Sequence, residues 1–171
     1  MLTELIASRI RDIPDYPQHG VVFKDITPLL ADGKAFCEVV EALTNGHQGV
    51  DKVAGIEARG FILAAPVACR MGAGFVPVRK KGKLPGPTFA EDYQLEYGTA
   101  SIEVHQDAFA PADRVLIVDD VLATGGTAAA TANLVRRSGA TVAGIVVLIE
   151  LSFLGGRAKL PDLPLTALLT V

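Results

Sequence analysis

The segment Val115-Leu-Ile-Val-Asp119-Asp120-Val-Leu-Ala123-Thr124-Gly125-Gly126-Thr127 holds the residues of this chain best suited to chemistry. Its apolar start reads as a buried strand, and ligands of open parallel sheets sit outside the carboxyl ends of such strands. The two aspartates fall at that end. Beyond them, two glycines let the backbone approach a ligand with no Cβ in the way, and Thr124 and Thr127 add hydroxyls. An Ala-rich helix is predicted to follow over 127–138. Its first N–H groups are unpaired and partly positive, which makes an anion site. Adjacent carboxylates at such a place have two uses: accepting hydrogen bonds from a vicinal diol, or helping to hold a divalent cation. A ribose 5-phosphate with free hydroxyls satisfies every part of this arrangement.

Two absences narrow the reading. No Gly-Lys-Ser/Thr closes the loop, so a triphosphate cradle does not fit, and no GxGxxG follows a strand as dinucleotide binding requires. One phosphate monoester is what remains. Thr-Gly-Gly-Thr alone is an ordinary tight turn; its conjunction with a preceding acidic pair is far more specific.

Other residues carry charge to comparable places. Glu57-Ala58-Arg59-Gly60 lies between a predicted buried strand and a helix, where backbone N–H groups and the Arg59 guanidinium suit a polyanion. Arg79-Lys80-Lys81-Gly82-Lys83 puts four cations in five residues, a pattern that by itself describes a solvated surface run. Glu96 alternates with apolar residues as on a half-buried strand, and Phe23 offers a flat apolar face.

These residues need a scaffold. Helices are predicted at the N-terminus, where Leu2, Leu5, Ile6 and Ile10 share a face, and after Asp32, an N-cap, with Phe36, Val39, Val40 and Leu43 at helical spacing up to Asn45-Gly46. Strand and helix then alternate: strands over 52–57, 74–79, 114–119 and 142–149, with helices over 60–71 and 127–138. Pro66 predicts a kink or a late start in the first of these two helices. Such alternation with continuously apolar strands indicates a parallel sheet covered on both faces. Residues 80–92 break all periodicity and read as a long loop, while 93–97 and 101–106 read as extended. Loops of that length inside a domain are usually functional or disordered.

Composition agrees with a folded enzyme-sized domain and excludes other classes. The chain has 171 residues, half of them hydrophobic, and 16 Lys+Arg against 19 Asp+Glu leave a net charge of −3. One domain over 1–171 is expected. Disorder is excluded, and so is a predominantly electrostatic nucleic-acid binder. Cys37 and Cys69 lack metal-ligand spacing and are expected to be small buried hydrophobes in a reducing compartment. No segment has the length of a membrane span or the apolar core of a signal peptide, so a cytoplasmic location is expected.

The acidic pair followed by Ala-Thr-Gly-Gly-Thr resembles the phosphoribosyl-diphosphate signature of type I phosphoribosyltransferases. Further segments resemble the adenine-accepting branch of that family, in the family's order: Gly20-Val-Val-Phe23-Lys24-Asp25-Ile26-Thr27-Pro28-Leu, Gly55-Ile-Glu57-Ala58-Arg59-Gly60-Phe61, Arg79-Lys-Lys-Gly-Lys83-Leu-Pro-Gly-Pro and Leu95-Glu96-Tyr97-Gly98. The likeness covers nearly the whole chain and is least diagnostic after Arg157. It implies an α/β fold, with a central mostly parallel sheet flanked by helices, a small N-terminal hood and a long flexible catalytic loop. It implies transfer of 5-phosphoribosyl from 5-phospho-α-D-ribose 1-diphosphate (phosphoribosyl diphosphate) to adenine, giving AMP and diphosphate in purine salvage. Mg2+ bound mainly through substrate oxygens and water, and a homodimer with neither nucleic acid nor membrane as partner, come with it.

On the matching positions the resemblance makes Glu96 the catalytic residue. It gives ribose and phosphate binding to Asp119, Asp120, Ala123, Thr124, Gly125, Gly126 and Thr127, and diphosphate binding to Arg59, Arg79 and Lys83. Adenine falls to Phe23, Lys24 and Leu151, and no side chain is expected to ligate the metal directly. Tyr97 is assigned to the flap or the diphosphate end. Rival readings are a hypoxanthine/guanine or orotate transferase, a non-catalytic regulator on the same scaffold, and a receiver-like signalling domain. The segments around Phe23 and Glu96 oppose the first, the presence of a flap the second, and the late position of the acidic pair the third.

Overall fold

Val115, Leu116, Ile117 and Val118 are all fully buried, which a strand achieves only with cover on both faces. The computed structural model, which describes residues 1–95 and 98–171, shows what provides it. In chain order the elements are α1 (Leu2–Ser8), β1 (Arg11–Pro14), β2 (Val22–Asp25), α2 (Thr27–Ala31), α3 (Gly33–Thr44), β3 (Lys52–Ile56), α4 (Arg59–Met71), β4 (Gly74–Lys80), β5 (Thr88–Gln94) and β6 (Thr99–His105). Then come β7 (Arg114–Leu122), α5 (Gly126–Arg137), β8 (Thr141–Glu150), two 3-10 turns (Ser152–Leu154 and Gly156–Lys159) and β9 (Leu165–Thr170).

Seven strands form one sheet in the order β5-β6-β4-β3-β7-β8-β9. From β4 to β9 the neighbours are parallel; β6 runs antiparallel to β4, and β5 to β6. Side chains of a strand alternate between faces, and here the alternation sorts residues into two cores. Val115, Ile117, Ile145 and Val147 pack with Ala128, Leu134 and Val135 of α5. Leu116, Val118, Val146 and Leu148 pack with Ile6 of α1, Val39 of α3 and Leu63 and Val67 of α4. The expected α/β sheet with helices on both faces is present. A separate two-stranded sheet, β1 with β2, makes the N-terminal hood.

Local signals account for most boundaries. Asp32 caps α3 through its carboxylate, which accepts from the N–H groups of Lys34 and Ala35. Gly72, at φ +66°, ends α4 in the left-handed conformation that a Cβ disfavours. Pro66 does not delay α4, which begins at Arg59.

Two expectations are corrected. Residues 80–92 are not one structureless loop, because β4 runs to Lys80 and Thr88–Asp92 pairs in β5 with Ser101–His105 of β6. Glu91 and Asp92 hid that strand from an apolar pattern. Cys37 and Cys69 are exposed rather than buried. The buried stripe of α3 runs through Ala35, Val39, Val40 and Leu43, and that of α4 through Leu63, Ala64, Val67 and Ala68, so each cysteine sits beside its stripe. Together they line a groove between the two helices.

Candidate active site

The chain leaves β3 for β4 on one side, then returns past β3 to place β7 on the other. The loops after β3 and β7 therefore diverge at the sheet's switch point, where open α/β sheets form their crevice. Pairing of β3 with β7 stops at Gly55–Val118, whereas β7 stays paired with β8 as far as Leu122–Glu150. Asp119 and Asp120 are thus inside a strand that has just lost one neighbour, and the strand runs on to Leu122 instead of ending at Asp119 as the sequence suggested. A cleft of about 370 Å3 opens there, walled by Glu57, Ala58, Arg59, Lys80, Tyr93, Asp119, Asp120 and Thr127 among others.

The two carboxylates are crowded. Asp119 Oδ1 accepts from the Asp120 N–H at 2.9 Å, and desolvation, followed by the charge of Asp120, pushes the Asp119 carboxyl well above the ordinary range. A shift of that kind inside a cleft is a mark of functional sites. Asp120 is 5% exposed. Its Oδ2 lies 2.7 Å from Arg59 Nε, a contact of charges in which no aligned hydrogen bond forms. Gly60 makes room for this pair: a Cβ there would lie 2.7 Å from Asp119 Oδ1 and 3.2 Å from the Val118 carbonyl oxygen.

Beyond the aspartates, Gly125 takes φ +80° and caps α5, which starts at Gly126. The backbone N–H groups of that first turn have no partner within the helix. They border a hollow of about 70 Å3 lined by Asp119, the whole Val121–Ala128 segment and Val147. Of the predicted ribose and phosphate residues, Asp119, Ala123, Thr124, Gly125, Gly126 and Thr127 are brought together around it, while Asp120 lines the adjoining cleft. Tyr93 of β5 packs against Gly126, with ring Cδ2 only 3.1 Å from where a Cβ would stand.

The opposite wall is built of long side chains. The Arg59 guanidinium reaches Asp120, donates to the Lys24 carbonyl at 3.2 Å, and lies 4.6 Å from the centre of the Phe23 ring. Phe23 is held edge-on by Tyr16, and the Lys24 ammonium pairs with Asp12 across the hood. Asp25 accepts from the Thr27 N–H, the Thr27 hydroxyl and Arg11, which lower its carboxyl to about 2. Arg79 donates to Glu57 at 2.9 Å, and the Lys80 N–H donates to the other Glu57 oxygen at 2.8 Å. Desolvation pushes Glu57 up, but these bonds outweigh it and leave the carboxyl below its usual value.

Some assigned residues lie apart. Lys83 is exposed, and Arg79 reaches only its carbonyl oxygen, at 3.4 Å; among the neighbouring cations it is Lys80 that lines the cleft. Leu151 follows β8, its N–H bonded to the Leu122 carbonyl. Glu96 and Tyr97, with the catalytic assignment of Glu96, lie outside the described residues. Among the described residues no three His, Cys, Asp or Glu side chains gather as a metal-ligand set, and no helix is long and apolar enough to cross a membrane.

Sequence reasoning gave no role to Glu57, which organises Arg79 and Lys80, nor to Tyr93. It also passed over Gly156, which stands behind the glycine loop, and Arg157, which pairs with Glu150 beside it. The Gly155-Gly156-Arg157 run after a strand was the available signal, since paired glycines mark close backbone approach.

Comparison with known proteins points the same way. Residues 29–162 match the phosphoribosyl transferase domain family. The adenine phosphoribosyltransferase of Streptomyces coelicolor is 64% identical, with 99% of this chain and 97% of the relative covered. The crystal structure of adenine phosphoribosyltransferase from Thermoanaerobacter pseudethanolicus superposes with a TM-score of 0.96 at 50% identity, covering all of both chains. That of the Saccharomyces cerevisiae enzyme, complexed with adenine and an imino-altritol bisphosphate, gives 0.89 at 35% identity over 98% of each chain.

Proposed function

The chain belongs to the phosphoribosyltransferase family, and from that premise we propose that it transfers 5-phosphoribosyl from phosphoribosyl diphosphate to adenine, releasing AMP and diphosphate. One observation carries this reading: an acidic pair lines one cleft with Arg59 at the β3–β7 switch point, and the helix-opening glycine loop borders the adjoining hollow that shares Asp119 and Thr127 with it. The loop from Ala123 to Thr127 takes the 5-phosphate on its free N–H groups. Asp119 and Asp120 accept hydrogen bonds from the ribose hydroxyls, which favour the charged carboxylates that burial and then mutual repulsion disfavour. Arg59, together with Arg79 and Lys83, attracts the diphosphate, and Arg59 leaves Asp120 as the sugar arrives.

Adenine recognition is assigned to the hood. Phe23 and Leu151 supply apolar walls, and the backbone at Lys24 reads the purine edge. One N–H and one C=O match N1 and the exocyclic amine of adenine, whereas a 6-oxopurine presents the reverse pattern and leaves groups unpaired. The Saccharomyces relative's complex with adenine supports this choice.

The reaction is displacement at the anomeric carbon through a transition state of oxocarbenium character. The chain's part is to position the reactants and to stabilise charge leaving on the diphosphate. Glu96 is assigned to hydrogen bonding or proton exchange at the purine's imidazole ring as N9 attacks. Buried Asp120 Oδ2, which has no aligned donor, fits a role toward a cation bound through water. Magnesium held mainly by substrate oxygens and water would supply charge neutralisation at the diphosphate. Residues 81–87, between β4 and β5, close over the site and exclude water. The chain acts as one domain, in the cytoplasm and as a homodimer; exposed Ile62 and Phe75 support a partner surface on its α4–β4 side.

Incubation with magnesium, phosphoribosyl diphosphate and, in turn, adenine, hypoxanthine, guanine and orotate tests the proposal. AMP from adenine, with little nucleotide from the others, is expected. A preference for any of the other three bases overturns the assignment.

A further inference from the structure

Behind the phosphate hollow, the segment after β8 meets the glycine loop backbone to backbone. A Cβ on Gly156 would overlap the Ala123 carbonyl oxygen and lie 2.9 Å from the Gly125 nitrogen and 3.1 Å from the Thr124 carbonyl carbon. The exclusion is mutual, because a Cβ on Gly125 would overlap the Gly156 carbonyl oxygen. No side chain fits between these two strands of backbone from either direction.

The next residue fixes the contact to the sheet. Arg157 grips Glu150, the last residue of β8, at two points: Nε to Oε1 at 3.0 Å and Nη2 to Oε2 at 2.6 Å. Its remaining arm, Nη1, donates to the Leu165 carbonyl at 2.9 Å, at the start of β9. Glu150 is 7% exposed, so the fork is closed on a nearly buried carboxylate, where a planar guanidinium has no equal substitute. Beside the turn Phe153 and Leu154 are exposed, and Leu160 at its end is buried in the core. The close-packed contact of Gly156 is with the loop.

We propose that Gly156 and the Arg157–Glu150 fork form the floor of the phosphate loop and set the position of its N–H groups, making Gly156 and Arg157 positioning residues for the 5-phosphate. They touch no substrate. They act by holding Ala123, Thr124 and Gly125 where the first turn of α5 and the loop converge on one point. The inference rests on the assignment of that loop to the phosphate.

The reaction itself supplies a discriminating test. Phosphoribosyl diphosphate and AMP carry a 5-phosphate; adenine and inorganic diphosphate do not. Gly156→Ala, Arg157→Lys and, as a control within the loop, Thr127→Val are assayed in both directions, with thermal melting to verify folding. Gly156→Ala is expected to raise KM for phosphoribosyl diphosphate and for AMP about tenfold, because sub-ångström loop shifts are costly in preorganised sites. Arg157→Lys, which keeps the charge and loses the fork, should do so less. KM for adenine and diphosphate should stay within about twofold in both, since neither meets the loop. Arg157→Lys carries the test if Gly156→Ala does not fold. An equal rise for all four compounds, or none, overturns the floor. If Thr127→Val weakens the two phosphate esters while the floor variants do not, the inference alone fails. If Thr127→Val is silent as well, the phosphate assignment of the loop fails with it.

Discussion

On the β7–α5 side of the cleft the working atoms belong to the backbone: a glycine loop, the first turn of a helix and a second glycine segment pressed behind it. On the β3 and hood side they belong to long side chains that hold one another, with Arg59 spanning Phe23, Lys24 and Asp120, and Glu57 gathering Arg79 and Lys80. Packing presets the first wall. The second is a set of ion pairs whose members, on the proposed function, would exchange partners when a charged substrate enters. A rigid site for the monophosphate and a rearrangeable one for the group that leaves match the two ends of the proposed donor.

Breaking the contrast at its centre should cost most. Asp119→Asn or Asp120→Asn is expected to lower kcat/KM about a hundredfold or more, the scale of losing a charged group aimed at the reacting centre, while the fold survives. Asp119 adds a stability test. Because its folded pKa is raised, the folded chain binds that proton more tightly than the unfolded chain, and stability falls as pH climbs from the ordinary 3.8 through the raised value. Melting of Asp119→Asn near neutral pH should therefore occur at or above the wild-type temperature, and a large fall would contradict this.

Shortening the segment over 81–87, which leaves β5 intact, probes the proposed flap. Steady-state kinetics and adenine titration should show kcat dropping about tenfold or more with adenine binding little changed; an unchanged kcat removes the flap's role. Gly60→Ala presses the two walls apart, since its Cβ meets Asp119 Oδ1 at 2.7 Å. The expected cost is about 1–3 kcal/mol in denaturant unfolding, the usual price of overpacking, accompanied by reduced turnover. The smallest effect concerns the hood. With its pKa lowered to about 2, Asp25 contributes stability in full above 3.8 and loses it as pH falls towards about 2. Melting curves of Asp25→Asn should lose less than wild type across that acid window.

What the sequence disclosed follows the same division. The phosphate loop was legible because its parts are local: an apolar strand, two aspartates, two glycines and a helix start lie within one short run. Asp32 as a helix cap and the two-faced sheet were readable for the same reason. The side-chain wall was not, because Arg59 meets Lys24 and Asp120 through long-range topology that residue types leave open. Arg157 and Glu150, seven residues apart, could have been paired, but nothing nearby disclosed that Gly156 would meet Ala123 and Gly125. The exposure of Cys37 and Cys69 turned on helix phase, where a shift of one or two positions separates the core from the surface.

A crystal of this chain grown with AMP tests the cleft most directly. The 5′-phosphate should sit in the hollow against the N–H groups of Gly125, Gly126 and Thr127, with the ribose hydroxyls on Asp119 and Asp120 and the purine beside Phe23. A nucleotide bound elsewhere, with that hollow empty and Arg59 still on Asp120, contradicts the assignment.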